Sequence, residues 1–208
     1  DRGVEAEAFD PAEKKLSELE AGHYDRAFIA LHGRFGEDGT IQGVLEYLGL
    51  PYTGPGVQAS AVAIDKSATR IVWQAAGLPV AEGLTVTSAD EAGRVARELG
   101  SSVVVKPDNE GSSIGVTKLK DATEADIRAA LETVLKLDRR VLVEKRVFGR
   151  EFTVAILNGK AQAIIEIKAP EGDYDYRNKY FGNAVKYDCP AQLTEEKTRE
   201  IQAACEAA

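Results

Sequence analysis

A run of three valines, a lysine, a proline and a loop of glycines and serines follow one another in the middle of this chain, as VVVKPDNEGSSIG over residues 103–115. β-Branched residues favour strands, a proline ends a ladder of backbone hydrogen bonds, and glycines permit turns and close backbone approach. Such a turn presents backbone N–H groups and two hydroxyls to an anion, with Lys106 as a point charge. The pattern predicts a hairpin that covers a phosphate group, with an ordinary polar hairpin as the alternative.

The spacing of this segment differs from that of two familiar phosphate loops. The Walker pattern requires Gly-Lys-Ser/Thr at the start of a helix, and dinucleotide-binding folds use GxGxxG. In this chain the lysine precedes the glycines and ends a predicted strand. We therefore expect a phosphate-covering hairpin of another kind.

Composition and charge limit the partners. The chain has 208 residues, 44% hydrophobic and 29% charged, which is typical of a soluble globular protein with one large domain or two to three small ones. A net charge of -8 without a basic block makes nucleic acid and anionic membranes poor partners. No apolar run approaches the length of a membrane span. Two cysteines, Cys189 and Cys205, fit a reducing compartment, so we predict a cytoplasmic protein.

Turn segments that contain glycine mark the boundaries of three predicted domains, residues 1–54, 55–148 and 149–208. In the first domain the pattern predicts a helix over residues 11–21, a buried strand over residues 27–31, a glycine-rich turn, and a helix capped by Thr40. A strand, a glycine loop and a capped helix make half of a doubly wound unit. The ligand crevice of such a unit lies at the carboxyl end of the strand.

The central domain alternates helices and strands. Asp65, Ser88 and Asp121 are predicted to begin three helices, because each is a good capping residue before an apolar-periodic segment. The glycine–serine segment lies between the second and third helices. A further buried strand ends in Glu144-Lys145.

The last domain begins with a hairpin. Asn158-Gly159 predicts a type I′ turn between two strands with alternating apolar residues. Residues 170–183 are predicted to form a tyrosine-rich closing loop, and Thr194 to begin a final helix. The predicted fold class is therefore α/β, in part α+β.

Several charged residues stand at predicted element ends. Lys66 lies just inside a helix N-terminus, Lys106 and Lys145 lie at strand ends, and Lys179 lies in the tyrosine-rich loop. Phosphoryl transfer depends mostly on positioning and charge neutralisation, so convergent lysines predict a triphosphate ligand. Each lysine alone is equally typical of a solvated surface. Glu144 suits hydrogen bonds from ribose hydroxyls or, equally, from N–H groups of the fold.

Two other features are candidates by position. The loop that contains Tyr174, Tyr176 and Tyr180 is dense in tyrosines, whose apolar rings and polar tips suit a loop that closes over a ligand. The alternative is a loop whose tyrosines pack on the sheet below. His32 follows the predicted first strand within a glycine turn, although a lone histidine is more often structural than catalytic.

Taken together, the motifs resemble D-alanine–D-alanine ligase, a family with the ATP-grasp fold. Each match alone is weak, but their order and spacing over nearly the whole chain are highly specific. The motifs are IALHGRFGEDG (29–39), PYTG (51–54), DK (65–66), VKP (105–107), EGSSIG (110–115), EK (144–145), EFTVA (151–155) and YDY to KY (174–180).

The resemblance implies an ATP site between the sheet of the central domain and that of the last one. The residues that it assigns to ATP are Lys66, Lys106, Ser113, Glu144, Lys145, Val147, Glu151 and Lys179. Lys66, Lys106 and Lys179 would neutralise phosphates. The adenosine pocket would be lined by Glu144, Lys145 and Val147, and Glu151 would bind ribose. His32 would approach the carboxylate of the first D-alanine. Ser112 and Tyr180 would form a catalytic hydrogen-bond chain that orients the acceptor.

The implied reaction has two steps. ATP phosphorylates the carboxylate of one D-alanine to an acylphosphate, and the amine of a second D-alanine then displaces phosphate to give D-alanyl-D-alanine for peptidoglycan precursors. The family implies a cytoplasmic bacterial homodimer and Mg²⁺ or Mn²⁺. We expect the metal ligands beyond Ala208 and a further glycine loop before Asp1, so no metal ligand is predicted within this chain.

Other interpretations stay open. The chain also fits another ATP-grasp carboxylate–amine ligase or a D-alanine–D-lactate ligase, although Tyr180 favours an amine acceptor. It also fits a non-catalytic nucleotide-binding module, or an α/β interaction domain that leaves the strand-end lysines unexplained. Asp173 departs from the family pattern, which has an aromatic residue there.

Overall fold

The computed structural model describes residues 3–169 and 185–208, and it divides the chain into two compact units, Asp1–Ala61 and Val62–Ala208. The second unit contains two sheets, and the strands in both pair antiparallel. Helices accompany both sheets, which confirms the predicted mixed α/β class. The predicted closing loop, with Lys179 and Tyr180, lies outside the described residues.

Helices form the regular part of the first unit. They are α1 (Ser17–Ala21), α2 (Thr40–Tyr47) and the start of α3 (Val57–Ile64), whose last three residues belong to the second unit. Leu19 of α1 is buried together with Ile41 and Leu45 of α2 in a small apolar core. This core joins two short helices that would be marginal in isolation.

The predicted buried strand over residues 27–31 is wrong. In the part of the chain that the structure describes, Ala27 forms a single parallel bridge to Tyr52, and Phe28 is 80% exposed. The ladder ends there because Ile29 N donates to the Thr53 side-chain hydroxyl, at 3.1 Å, instead of to a backbone carbonyl. This apolar run therefore does not become a strand.

Two helix predictions in this unit need correction. Residues 11–16 form turns, because Asp10 O accepts from Glu13 N and Lys14 N, and a new helix begins at Ser17. Thr40 is the first residue of α2 and not its cap. The cap position is Gly39, whose φ of 89° is left-handed, and an added Cβ there would lie 2.6 Å from Val57 O. Glycine is required by that close approach.

The second unit contains four α-helices and seven strands among the described residues. The helices are α4 (Lys66–Ala75), α5 (Ala92–Leu99, after a 3₁₀ turn at Ala89–Glu91), α6 (Glu124–Val134) and α7 (Glu195–Ala207). The strands are β1 (Gly83–Val86), β2 (Val103–Pro107), β3 (Thr117–Lys118), β4 (Val141–Lys145), β5 (Glu151–Leu157), β6 (Lys160–Lys168) and β7 (Lys186–Asp188). The first sheet has the order β1-β4-β2-β3, and the second has the order β5-β6-β7.

Capping residues fix most of the helix starts in this unit. Asp65 accepts from Ala68 N at 2.8 Å and caps α4, and Thr194 accepts from Lys197 N at 3.3 Å and caps α7. Ser88 caps the 3₁₀ turn before α5. The prediction that Asp121 begins α6 is wrong by two residues. Thr123 caps this helix, because it forms a reciprocal capping box with Asp126.

The first sheet has two different faces. Alternate residues of β2 and β4 point into an apolar core, against buried side chains of α5 and α6. The buried members of this core include Val95, Leu99, Val103, Val105, Ile127, Leu131, Val141 and Val143. Because side chains alternate along a strand, Lys106 and Glu144 lie on the opposite face. That face is therefore free to carry charge while the other stabilises the fold.

The second sheet is a hairpin extended by β7. Asn158 and Gly159 join β5 to β6 with φ values of 51° and 72°, as the predicted type I′ turn requires. Helix α7 is tied to this hairpin, since Glu206 accepts from Ala161 N at 3.0 Å and Gln202 donates to Gln162 O at 3.1 Å. Among the described residues, no helix is both long and apolar enough to cross a membrane.

Candidate functional site

The glycine–serine hairpin consists of β2, residues 108–116 and β3. Its turn holds Ser112 and Ser113 at φ values of 52° and 59°, and Gly115 at 71°. Two consecutive serines in the left-handed region are strained, and such strain concentrates at binding sites. An added Cβ at Gly115 would lie 2.5 Å from Leu137 Cδ1, so only glycine lets the turn close against the loop after α6.

Lys66 connects helix α4 to this turn. Its backbone N donates to Asp108 O at 3.0 Å, and its ammonium donates to Glu110 O at 2.5 Å. The ammonium therefore lies beside the turn that contains the two serines. Burial lowers the pKa of Lys66, and the charge of Lys106 lowers it further, against the opposing effect of nearby acidic residues.

A polar cluster around one buried carboxylate supports the hairpin, and we call it the anchor cluster: Asp65, Ser67, Asp108 and Arg140. Asp108 is fully buried and follows β2 directly. Its Oδ1 accepts from Ser67 N at 2.9 Å and from Ser67 Oγ at 2.7 Å. Its Oδ2 lies 2.9 Å from Arg140 Nη2, as an ion pair whose angles fall outside hydrogen-bond geometry. Arg140 also pairs with Asp65, the cap of α4.

The loop before β4 supports the same hairpin. Arg140 O accepts from Asp108 N at 3.2 Å, and Asp138 Oδ2 accepts from Asn109 N at 2.8 Å. Burial raises the pKa of Asp138, but the hydrogen bonds from Arg140 N and from Asn109 outweigh it, so this pKa lies below its usual value. The start of the turn is therefore fixed by bonds from both α4 and this loop.

A second group of charges lies on the polar face of the first sheet, and we call it the charged triad: Arg70, Lys106 and Glu144. Glu144 Oε2 lies 2.5 Å from Lys106 Nζ, and Glu144 Oε1 accepts from Arg70 Nη1 at 2.5 Å. In the β2–β4 register Lys106 is opposite Leu142 and Glu144 is opposite Val104. Lys106 and Glu144 are thus diagonal neighbours, which long side chains can bridge.

Gly83 makes room for the charged triad. It is opposite Glu144 in the pairing of β1 with β4. An added Cβ at Gly83 would lie 2.8 Å from Val143 O, 2.9 Å from Glu144 Cγ and 3.2 Å from Arg70 Cζ. A side chain at this position would therefore displace the strand or the ion pair.

The other predicted site residues are not members of these clusters. Lys145 pairs with Glu82 at 2.6 Å, since strand alternation directs it away from the face of Glu144. Val147 is exposed after β4, and Glu151 begins β5 in the second sheet. His32 is exposed in the first unit. Lys179 and Tyr180 lie outside the described residues, so their predicted roles stay predictions.

Apart from Asp65, which was predicted as a helix cap, four residues of these clusters are absent from the sequence-based prediction: Ser67, Arg70, Asp108 and Arg140. Gly83, beside the charged triad, is absent as well. A signal existed for one of them. Arg70 follows Lys66 by four residues on a predicted helix, so the two share one helix face. No comparable signal marks Asp108, because its partners Ser67 and Arg140 are distant in sequence.

The arrangement suits an anion with several charges. Lys66 and Lys106 are close enough for the charge of one to affect the pKa of the other. Both lie near a strained turn that contains two serines and two glycines. Within residues 3–169 and 185–208, no group of three or more His, Cys, Asp or Glu side chains is placed to hold a metal ion.

Comparison with known proteins gives matches over nearly the whole chain. The family model of the D-ala D-ala ligase C-terminus matches residues 72–208, and that of the D-ala D-ala ligase N-terminus matches residues 3–55. A D-alanine–D-alanine ligase of Acidovorax ebreus is 49% identical over 205 residues, which are 97% of this chain and 61% of that protein. The chain thus spans about three fifths of the length of this curated relative.

Solved structures agree with these matches. The D-alanine–D-alanine ligase of Bacillus anthracis is 34% identical with a TM-score of 0.76, covering 93% of this chain and 64% of that one. A structure described as D-alanine–D-alanine ligase from Bacillus anthracis complexed with ATP has a TM-score of 0.75 at 29% identity, covering 93% of this chain and 62% of that one. A D-Ala:D-Ser ligase of Enterococcus faecalis has a TM-score of 0.72 at 30% identity, covering 88% and 55%.

Proposed function

We propose that this chain, which belongs to the D-alanine–D-alanine ligase family, is the ATP-binding part of an enzyme that joins two D-alanine molecules. The observation that carries the proposal is that Lys66 bonds to the turn of Ser112 and Ser113, while Lys106, on the strand that leads into this turn, is near enough for its charge to lower the pKa of Lys66. Two neighbouring cations and a turn of backbone N–H groups suit the polyphosphate of ATP.

The proposed reaction proceeds in two steps. A carboxylate oxygen of the first D-alanine attacks the γ-phosphorus of ATP, so that an acylphosphate forms and ADP leaves. The amine of the second D-alanine then attacks the acyl carbon, loses a proton, and phosphate leaves as the peptide bond forms. Lys66 and Lys106 would hold the phosphates and offset their charge in both transition states.

The remaining site residues enter the proposal in the roles that the family resemblance implies. Lys179 would approach the γ-phosphate, Glu151 would bind ribose, and His32 would bind the first D-alanine. Ser112 and Tyr180 would orient the acceptor. We further propose Mg²⁺ or Mn²⁺ held outside the described residues, a homodimer, and a location in the bacterial cytoplasm.

The acceptor is the least constrained part of the proposal. A D-Ala:D-Ser ligase is among the structural neighbours, which shows that this fold accepts other second substrates. We propose D-alanine as the acceptor because the curated relatives at 46–49% identity are D-alanine–D-alanine ligases.

The proposal is tested by phosphate release from ATP by the full-length gene product with D-alanine, L-alanine, D-serine or D-lactate, with products identified by mass. We expect phosphate and D-alanyl-D-alanine in equal amounts with D-alanine, and little with L-alanine. ATP binding without any ligation product would favour the non-catalytic nucleotide-binding module. A preference for D-serine or D-lactate as second substrate would place the enzyme elsewhere in the same family.

A further inference from the structure

Glu144 contacts two cations that differ in how firmly they are held. Arg70 Nη1 donates both to Glu144 Oε1 and to Ala81 O, each at 2.5 Å. The arginine side chain is 11% exposed, whereas that of Lys106 is 24% exposed. Arg70 is therefore fixed by the fold at two points, whereas the Lys106 ammonium contacts only Glu144 within residues 3–169 and 185–208.

The contact between Lys106 and Glu144 competes with phosphate binding. An ammonium 2.5 Å from a carboxylate oxygen has to leave that oxygen, at least in part, to approach a phosphate. Glu144 is only 15% exposed, so water solvates it poorly after the lysine leaves. Removing one partner of a buried ion pair is costly when the remaining charge has no other partner. Arg70 is the other partner.

We propose that Arg70 is a positioning residue that holds and neutralises Glu144, so that Lys106 can exchange this carboxylate for a phosphate of ATP. Arginine suits this task because it stays charged and its planar fork makes several directed hydrogen bonds. Gly83 is required by the same arrangement of charges, since a side chain at this position would collide with both Arg70 and Glu144. The inference rests on the proposed function, because it takes ATP as the ligand of Lys106.

The test compares ATP binding by calorimetry, and KM for ATP against kcat, in the full-length protein and its variants. Arg70→Gln keeps a donor for Ala81 O but removes the charge. We expect it to raise Kd and KM for ATP by about tenfold while kcat changes much less, because Lys106 is then retained by Glu144. Arg70→Lys keeps the charge and should remain within about threefold of wild type. The matched control is Arg94→Gln, which replaces an exposed arginine of α5 that has two glutamate partners. This variant should change neither Kd and KM for ATP nor kcat.

A double variant distinguishes the positioning role of Arg70 from a merely structural role. In Arg70→Gln/Glu144→Gln no carboxylate retains Lys106, so its Kd for ATP should equal that of Glu144→Gln alone. In both proteins residue 144 is uncharged, so neither leaves a buried carboxylate without a partner. The comparison between them therefore remains possible if Arg70→Gln alone does not fold. A double variant that binds ATP about tenfold more weakly than Glu144→Gln would overturn the inference. So would an Arg70→Lys protein as impaired as Arg70→Gln.

The failure of the proposed function gives a different result. If the wild-type protein binds no ATP, the ligand assignment is wrong and with it the premise of the exchange. If the wild type binds ATP and a folded Arg70→Gln protein binds it equally well, the function stands and the role of Arg70 is refuted. A loss in kcat at unchanged KM for ATP would also refute that role, since it would place Arg70 in the chemical step.

Discussion

Asp108 and Glu144 are both poorly exposed carboxylates on the first sheet, and each contacts an arginine, but their remaining partners differ. Asp108 binds the backbone N–H and hydroxyl of Ser67, which cannot move away without the start of α4. Glu144 binds Lys106, whose ammonium ends a flexible chain. Asp108 is completely buried, whereas Glu144 keeps 15% of its side chain exposed.

This difference separates a fixed part of the site from an exchangeable one. The anchor cluster joins α4, the hairpin and the loop before β4 through bonds that a ligand does not need to break. The charged triad offers a lysine whose present partner can be replaced by a phosphate. The same residue types thus serve two purposes, and burial together with partner identity decides which.

The largest effect is expected from removing the exchangeable cation. In the proposed reaction, Lys106→Ala should lower kcat/KM by a factor that corresponds to about 2–4 kcal/mol of lost transition-state stabilisation, because one charge-stabilising donor is removed. Its fold should persist, because Lys106 lies on the polar face of the sheet and contributes nothing to the apolar core. The measurement is steady-state phosphate release, with thermal unfolding alongside. Lys120→Ala, which removes an exposed lysine, is the matched control. Near-wild-type turnover by folded Lys106→Ala would remove this residue from the site.

Replacement of Asp108, the fixed carboxylate, is expected to have an effect of comparable size, but on the stability of the fold rather than on the binding of ATP. Asp108→Asn should lower the free energy of unfolding by about 2–3 kcal/mol, because Arg140 loses a buried charged partner but keeps Asp65. The measurement is chemical denaturation, compared with the exposed Asp121→Asn. We expect Glu144→Gln to destabilise less than Asp108→Asn. Equal losses for the two would contradict the distinction between the fixed and the exchangeable carboxylate.

Gly83 should respond to a single added methyl group. Gly83→Ala is expected to destabilise by about 1–3 kcal/mol and to weaken ATP binding, because the new Cβ would lie 2.9 Å from Glu144 Cγ. Gly43→Ala is the control, since Gly43 lies within α2 and its nearest neighbouring atom is 3.9 Å away. That variant should be stabilised by about 0.5–1 kcal/mol, as alanine is the better helix former. The reverse order in unfolding experiments would show that Gly83 has more room than its contacts indicate.

The smallest expected effect is a pH dependence. Burial and the charge of Lys106 lower the pKa of Lys66, so this ammonium loses its proton at a lower pH than an ordinary lysine. Because the neutral amine no longer attracts phosphate, ATP affinity should fall as pH rises through that pKa, and binding there should take up protons. Lys66→Arg keeps its charge and should bind ATP with a flatter alkaline profile in calorimetry. Identical profiles for the two proteins would show that Lys66 does not titrate at the site.

The sequence predicted much of the second unit, because its signals are local. Continuous runs of valine and leucine indicate β2 and β4, and the caps Asp65 and Thr194 are set by bonds to the next few residues. The strand expected at residues 27–31 did not form, because a strand depends on a partner that its own residues do not specify. Local pattern therefore predicts elements better than it predicts pairing.

The site shows the same limit. Lys106 and Glu144 were both candidates, but their contact follows from the register of β2 on β4, which the sequence does not reveal. Arg70 and Asp108 were missed as parts of the site because their partners come from other elements. The roles of His32, Lys145, Val147 and Glu151 came from resemblance and remain predictions, since none of these residues is a member of the two clusters.

A crystal structure of the full-length protein with a non-hydrolysable ATP analogue tests the central claim most directly. We predict that Lys106 Nζ contacts a phosphate oxygen and lies beyond about 4 Å from Glu144, the usual limit of an ion pair. Arg70 should remain on Glu144 and Ala81 O, and Asp108 should keep its bonds to Ser67. The account would be contradicted if Lys106 stayed on Glu144 while the phosphates were held elsewhere, or if Arg70 left Glu144 together with Lys106.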